Sequence, residues 1–169
     1  RHPTSRGLGA ALRTGLATAQ QMGAAAVVYL DADGEYDPRE IPAVLAPVLR
    51  GEADYVLGSR FPDGAAVMRA SRRWGNRIFT ALLSLLAGRR LRDGQTGFRA
   101  FSARAVAQAD IIHDYNYAQV LTLDLLRKGM RLSQVPIRYR PRRHGTSFIR
   151  YHVYLRRVVP AILREVLTP

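Results

Sequence analysis

The chain has 169 residues, 47 % of them hydrophobic, no cysteine and a formal charge of +13. This fits one folded domain rather than a disordered segment, and the lack of cysteine excludes disulfides, zinc thiolate sites and a thiol nucleophile. No run approaches the roughly 20 apolar residues of a spanning helix and no charged-then-apolar leader opens the sequence, so a soluble or peripheral chain is expected.

In chain order, residues 7–22 read as a helix, with Leu8, Ala11, Leu12 and Leu16 on one side. Ala26 to Leu30 is an apolar run of strand length that stops abruptly at Asp31. Residues 31–38 are loop-like, and Pro38 suits the first turn of a helix on which Ile41, Val44, Leu45, Val48 and Leu49 follow the 3.6 period. Gly51 closes that helix, and Tyr55-Val56-Leu57 forms the next strand. The order predicts βαβ units in a mainly parallel α/β sheet, with Asp31 and Gly58-Ser59-Arg60 on the rim beyond the strands' carboxyl ends, where ligands bind. From Arg72 to Gly88 a helix carries Ile78, Phe79, Leu82, Leu83, Leu85 and Leu86 over a wide face, with Arg77, Thr80 and Ser84 as a narrow polar stripe. Such a helix is deeply buried or lies against something apolar. A further helix is expected over 115–128, then a strand in which Val135, Ile137 and Tyr139 alternate with polar neighbours. From about Arg150 an amphipathic helix is expected, kinked or restarted at Pro160, with Arg150, Arg157 and Arg164 on its polar side.

Asp31 and Asp33 flank one residue at a strand end. Two carboxylates so placed can hold a hard divalent cation, magnesium or manganese, that keeps positions open for phosphate oxygens. Glu35 is close enough to join them. The competing reading is an Asp-rich capping turn, in which Asp37 caps the helix opened by Pro38. An EF-hand calcium loop is excluded, because Tyr36 and Pro42 stand where its glycine and terminal glutamate belong. Apart from Lys128 every basic side chain is Arg, whose fork suits phosphate, and the charge favours anionic partners.

Leu30 to Pro38, Leu-Asp-Ala-Asp-Gly-Glu-Tyr-Asp-Pro, resembles the acidic motif of family 2 glycosyltransferases, particularly the polyprenyl- and dolichyl-phosphate sugar synthases. Gly7-Leu8-Gly9-Ala10-Ala11 with Gly15, Gly58-Ser59-Arg60, Asp93 to Arg99 and Arg142 to Ser147 resemble further segments of that family in the same order. The resemblance implies a GT-A-like (Rossmann-like) domain over residues 1–148, whose first strand would precede Arg1, and an amphipathic, membrane-interfacial helix over 149–169. It implies that Asp31 and Asp33 are catalytic and bind donor diphosphate and metal, with Glu35 as a further metal contact. Arg60, Arg142 and Ser147 would contact phosphates, and Asp93, Thr96, Gly97, Phe98, Arg99 and Gln119 would shape the acceptor side. Three departures stand out: the family's opening strand would precede Arg1, Ser5 stands where the family often has Asn, and Phe148 stands where a Lys often follows; near the position of an acidic base the chain has Gln119, with Asp114 and Asp124 as nearby alternatives.

A phosphomonoester acceptor carries about −1.5 to −2 charge at neutral pH and needs no base. The implied reaction is metal-assisted inverting transfer from a nucleotide sugar to a polyprenyl or dolichyl phosphate, by a cytoplasmic enzyme peripheral to the membrane. A glycan or other hydroxyl acceptor is the alternative. A basic nucleic-acid-binding domain is the rival from another class, and it leaves the acidic strand end unexplained.

Overall fold

The structure is a computed structural model that describes residues 2–61, 68, 70–112, 117–140 and 160. The expected Arg142 and Ser147, Asp114, and all of the C-terminal helix except Pro160 lie outside the described residues.

The elements run α1 (Leu8–Gln21), β1 (Ala26–Leu30), a 3-10 turn (Pro38–Glu40), α2 (Ile41–Leu49), β2 (Tyr55–Ser59), α3 (Ala70–Leu86), β3 (Phe98–Ser102), α4 (Ala103–Gln108), α5 (Ala118–Arg127) and β4 (Leu132–Pro136). Asp37 caps the 3-10 turn by accepting from the Arg39 amide at 3.1 Å. The four strands order as β1-β3-β2-β4. β1, β2 and β4 share one direction, and β3 runs antiparallel between β1 and β2. Three of the four strands run in one direction as expected, but the sheet is mixed, because β3 pairs antiparallel on both sides and splits the expected β1-α2-β2 unit. The expected final strand lies three residues earlier: β4 ends at Pro136, where its pairing with β2 runs out opposite Ser59, and Ile137 and Tyr139 are buried beyond it.

Strand side chains alternate between two cores, as a pleat requires. Tyr55, Leu57 and Phe101 join Leu12, Leu16, Leu83, Val120, Leu121 and Leu123 on one face. Val56, Phe98 and Ala100 pack with Val44, Val48 and Ile137 on the other. Helices cover both faces of the sheet.

The apolar-rich α3 sits the other way round from an ordinary amphipathic helix. Asn76 and Thr80 are buried, whereas Trp74 (60 %), Ile78 (64 %), Leu82 (45 %) and Leu85 (78 %) are exposed. Of the apolar positions the sequence offered, Leu83 is buried and Phe79 packs partly against the core. The polar side turns inward because the loop before β3 presents groups only polar partners can satisfy. Thr80 Oγ1 accepts from the Gly94 amide at 3.0 Å, and Ser84 Oγ accepts from the Leu91 amide at 3.0 Å. At Gly94 a Cβ would fall 2.6 Å from Leu83 Cδ2, so a side chain there would displace Leu83.

Leu83→Ala is expected to lower the unfolding free energy by about 2–5 kcal/mol. Leu85→Ala, two residues along the same apolar run, is expected to change it by about 0.5 kcal/mol or less. Urea denaturation of the two variants checks the orientation of α3.

Candidate active site

The carboxyl ends of β1, β2 and β4 and the amino end of β3 meet on one rim. Asp31 follows β1 there, Arg60 follows β2, and Asp93 to Gly97 lead into β3. The rim predicted from strand order is formed, and β3 adds a fourth contributor to it.

The acidic motif is held in place from three directions. Tyr29 donates to Asp31 Oδ1 at 2.8 Å, and Asp33 Oδ1 accepts from the Glu35 amide at 3.0 Å. Tyr36 accepts from the Gly97 amide at 2.8 Å and bridges to Tyr139, while the Arg140 amide donates to the Glu35 carbonyl at 3.0 Å. Gly97 does more than turn the chain: a Cβ there would lie 2.0 Å from Asp31 Oδ2, so only glycine lets the carboxylate pass. Burial raises the Asp31 pKa; the Tyr29 hydrogen bond opposes this, and the neighbouring charges of Asp33 and Glu35 raise it further. A divalent cation is the kind of group that relieves such crowding, so an all-oxygen donor set of Asp31 and Asp33 fits one. Glu35 is turned elsewhere: both its oxygens accept from Arg72, at 2.8 and 3.0 Å. Among the described residues no three His, Cys, Asp or Glu side chains converge as a metal site.

Arg60 and Asp93, assigned by resemblance to opposite sides of the site, are brought together. Arg60 is 2 % exposed and Asp93 0 %; Arg60 Nε and Nη2 donate to the two Asp93 oxygens at 2.6 and 2.8 Å, and the Arg60 amide adds a third bond. Burial by itself would raise the Asp93 pKa, but the Arg60 charge and hydrogen bonds and the Asn76 amide hold it below the usual range. Thr96, Phe98 and Arg99 are likewise fully buried and support the rim from beneath. Arg99 donates to the Thr96 carbonyl (2.9 Å), the Ala118 carbonyl (3.0 Å), Thr122 Oγ1 (3.2 Å) and the Tyr55 hydroxyl, with its guanidinium over the Tyr55 and Tyr117 rings. Gln119, in the first turn of α5, is 1 % exposed, and among the described residues neither its Oε1 nor its Nε2 has a hydrogen-bond partner. Asp124 pairs with Lys128 at 2.5 Å on the far part of the same helix.

Sequence reasoning passed over Arg72, Asn76, Tyr29 and Tyr139. Arg72 stands in an Arg-rich stretch that reads as a solvated helix start, and the tyrosines read as ordinary strand residues.

Residues 1–109 match the sequence profile described as Glycosyl transferase family 2. The chain belongs to that family. It is 36 % identical over 108 residues to a UDP-N-acetylglucosamine–dolichyl-phosphate N-acetylglucosaminyltransferase of Methanococcus voltae, covering 63 % of this chain and 43 % of that one. With the undecaprenyl-phosphate mannosyltransferase of Micrococcus luteus it shares 29 % over 153 residues, covering 85 % of this chain and 61 % of the relative. The chain thus spans roughly half the length of these family 2 relatives. In three dimensions it resembles glucosyl-3-phosphoglycerate synthase from Mycobacterium tuberculosis, solved in complex with Mn2+, uridine diphosphate and glucosyl-3-phosphoglycerate. The TM-score is 0.71 at 21 % identity, covering 99 % of this chain and 58 % of the other. That likeness fixes the fold as GT-A-like.

Arg60→Ala would leave Asp93 buried without its partner and is expected to cost about 3–5 kcal/mol of stability. In the parent protein the depressed Asp93 contributes stability fully above the unfolded-state pKa of about 3.9. That contribution is lost as pH falls through the lower folded-state value. Chemical denaturation of parent and variant between neutral and strongly acidic pH checks both the size and the sign.

Proposed function

We propose that this family 2 domain transfers a sugar from a nucleotide-sugar donor to a polyprenyl or dolichyl phosphate, with inversion, in the presence of a divalent cation. The observation that carries the reading is the Asp31–Asp33 pair at the end of β1, its first carboxylate wedged against a Gly97 that has no room for a side chain. Asp31 and Asp33 would hold magnesium or manganese, which when bound offsets the charge of the leaving diphosphate. Tyr29 and the Glu35 amide fix the two carboxylates toward the rim before any ligand arrives, so little ordering remains to be done on binding. Arg60 offers no free fork, since Asp93 occupies it, and is proposed to position the rim rather than to contact phosphate. Arg142 and Ser147 remain proposed phosphate contacts.

The acceptor assignment is supported by the names of the relatives and by the first turn of α5. A carboxamide cannot remove a proton, and Gln119 places one there; Asp124 is engaged by Lys128. A phosphate acceptor is already a nucleophile and needs no base. Among the described residues no helix is long and apolar enough to cross a membrane. The exposed stripe of α3 supports a peripheral position instead. Trp74, Ile78, Leu82 and Leu85 recur along one side, with exposed Arg77, Arg89 and Arg90 beside them, the pairing of apolar stripe and basic rim that suits an anionic membrane interface.

Asp33→Ala is expected to reduce sugar transfer at least about a hundredfold while leaving the urea midpoint near that of the parent; undiminished turnover from a nucleotide sugar would remove the metal assignment. For the membrane position, sedimentation with vesicles containing anionic lipid is the measurement. Binding should weaken with salt and drop further in an Ile78→Ser, Leu85→Ser double variant, whereas binding unaffected by that variant would rule out α3 as the contact.

A further inference from the structure

We infer that Arg77, held between two aromatic rings at the edge of the rim, takes the phosphate of an anionic membrane lipid; this rests on the peripheral position proposed above and names its contact. The surrounding stretch is one-sided in charge. Between Asp63 and Asp93 the chain has seven arginines and no Asp or Glu. Elsewhere on the surface Arg39, Arg50 and Arg131 pair with Asp37, Glu52 and Asp54 at 2.7, 2.6 and 2.9 Å. Arg77 is exposed, and among the described residues it meets no acid and makes no hydrogen bond. What it meets is aromatic: its guanidinium lies 6.0 Å from the Phe61 ring centroid and 6.0 Å from that of Trp74.

The rings restrain the guanidinium without using its donors. Arginine is attracted to an aromatic face as a cation, while its five N–H groups lie along the edges of its own plane. A fork restrained in this way has less freedom to lose on binding. Its natural partner is a pair of oxygens on one phosphorus.

The place of the fork selects the source of that phosphate. Trp74, Ile78, Leu82 and Leu85 form the exposed stripe of α3, and Arg77, three residues on from Trp74, is its neighbour on the helix surface. Phe61 follows Arg60, whose side chain is bound to Asp93 at the rim. Arg77 therefore stands where the stripe meets the rim, and Arg89 and Arg90 are exposed just past the other end of the helix. A soluble phosphate would use the fork alone. A lipid uses the fork with its headgroup and the stripe with its chains, at the depth where Trp and Arg side chains collect in membranes. Bound in this way, α3 lies along the leaflet with its Trp74 end at the headgroups, and the rim faces the same layer.

The experiment follows the emission of Trp74, the only tryptophan of the chain, as the protein is titrated with phosphatidylcholine vesicles containing phosphatidylglycerol. Binding should move the emission to shorter wavelength. Because Arg77 borders this reporter, sedimentation of the same mixtures gives the affinity independently. Arg77→Gln is expected to weaken binding about tenfold or more. Arg89→Gln removes the same charge from the far end of the stripe and should weaken it about fivefold or less. Arg77→Lys keeps the charge and loses the planar fork, and is expected to bind as weakly as Arg77→Gln. Parent-like binding by Arg77→Lys, or equal losses in Arg77→Gln and Arg89→Gln, overturns the assignment in favour of a general charge effect. Soluble glycerol phosphate that shifts Trp74 as far as the vesicles do overturns the lipid as the source. The Ile78→Ser, Leu85→Ser variant separates the two readings. Undiminished vesicle binding there removes the peripheral position and this assignment with it, whereas loss there beside parent-like Arg77→Lys removes Arg77 alone.

Discussion

A carboxylate that water does not reach must find every hydrogen bond inside the protein, and Asp93 finds them on two elements at once. Arg60 at the end of β2 gives it two side-chain bonds and an amide, and Asn76 on α3 gives a fourth. Asn76 is itself held by Thr80, which also receives the Gly94 amide. One buried ion pair thereby fixes the end of a central strand, the loop that leads into β3, and the face that α3 turns toward the protein. Either charge without the other would be strongly unfavourable at that depth. The pair specifies one arrangement of the rim, and the position of Gly97 against Asp31 depends on it.

This arrangement explains why α3 exposes apolar residues. A helix cannot bury opposite faces against the same surface, and the polar demands of the Asp93 loop take the inward side. Ile78, Leu82 and Leu85 are left outside, which costs hydrophobic stabilisation and is compensated when that face meets an apolar partner. Site and surface are therefore linked: the interactions that order the rim also create the stripe proposed to meet the membrane. Arg72 stands at the head of the same helix and reaches the acidic motif through Glu35, which ties the loop after β1 to α3.

Arg99 shows a second use of buried charge. Among the described residues no carboxylate joins its hydrogen-bonding set; carbonyls, hydroxyls and two aromatic faces surround it. Its field lowers the pKa of Asp31 against the effect of burial. The guanidinium thus favours the ionised form of Asp31 through its field alone.

The sequence by itself determined the local and periodic features. The apolar run ending at Asp31, the Pro38 turn, α1, α2, β2 and the ordered family 2 segments were all legible, because each is written in contiguous residues or in a fixed period. It also placed Asp31 and Arg60 on one rim, since strand direction follows from the order of helices and strands. Beyond that reach lay everything decided by pairing across long separations. Phe98 to Ser102 did not read as a strand because Arg99 interrupts its apolar pattern, and only the cage of oxygens and rings supplied by β2 and α5 makes that arginine a core residue. The inward face of α3 was hidden because hydrophobicity pointed the other way, and the buried Asp93 charge outweighed it. Arg72 was silent in the sequence and became part of the site only where tertiary packing set it opposite Glu35. Charge burial is a property of the folded environment, and no local window of sequence contains it.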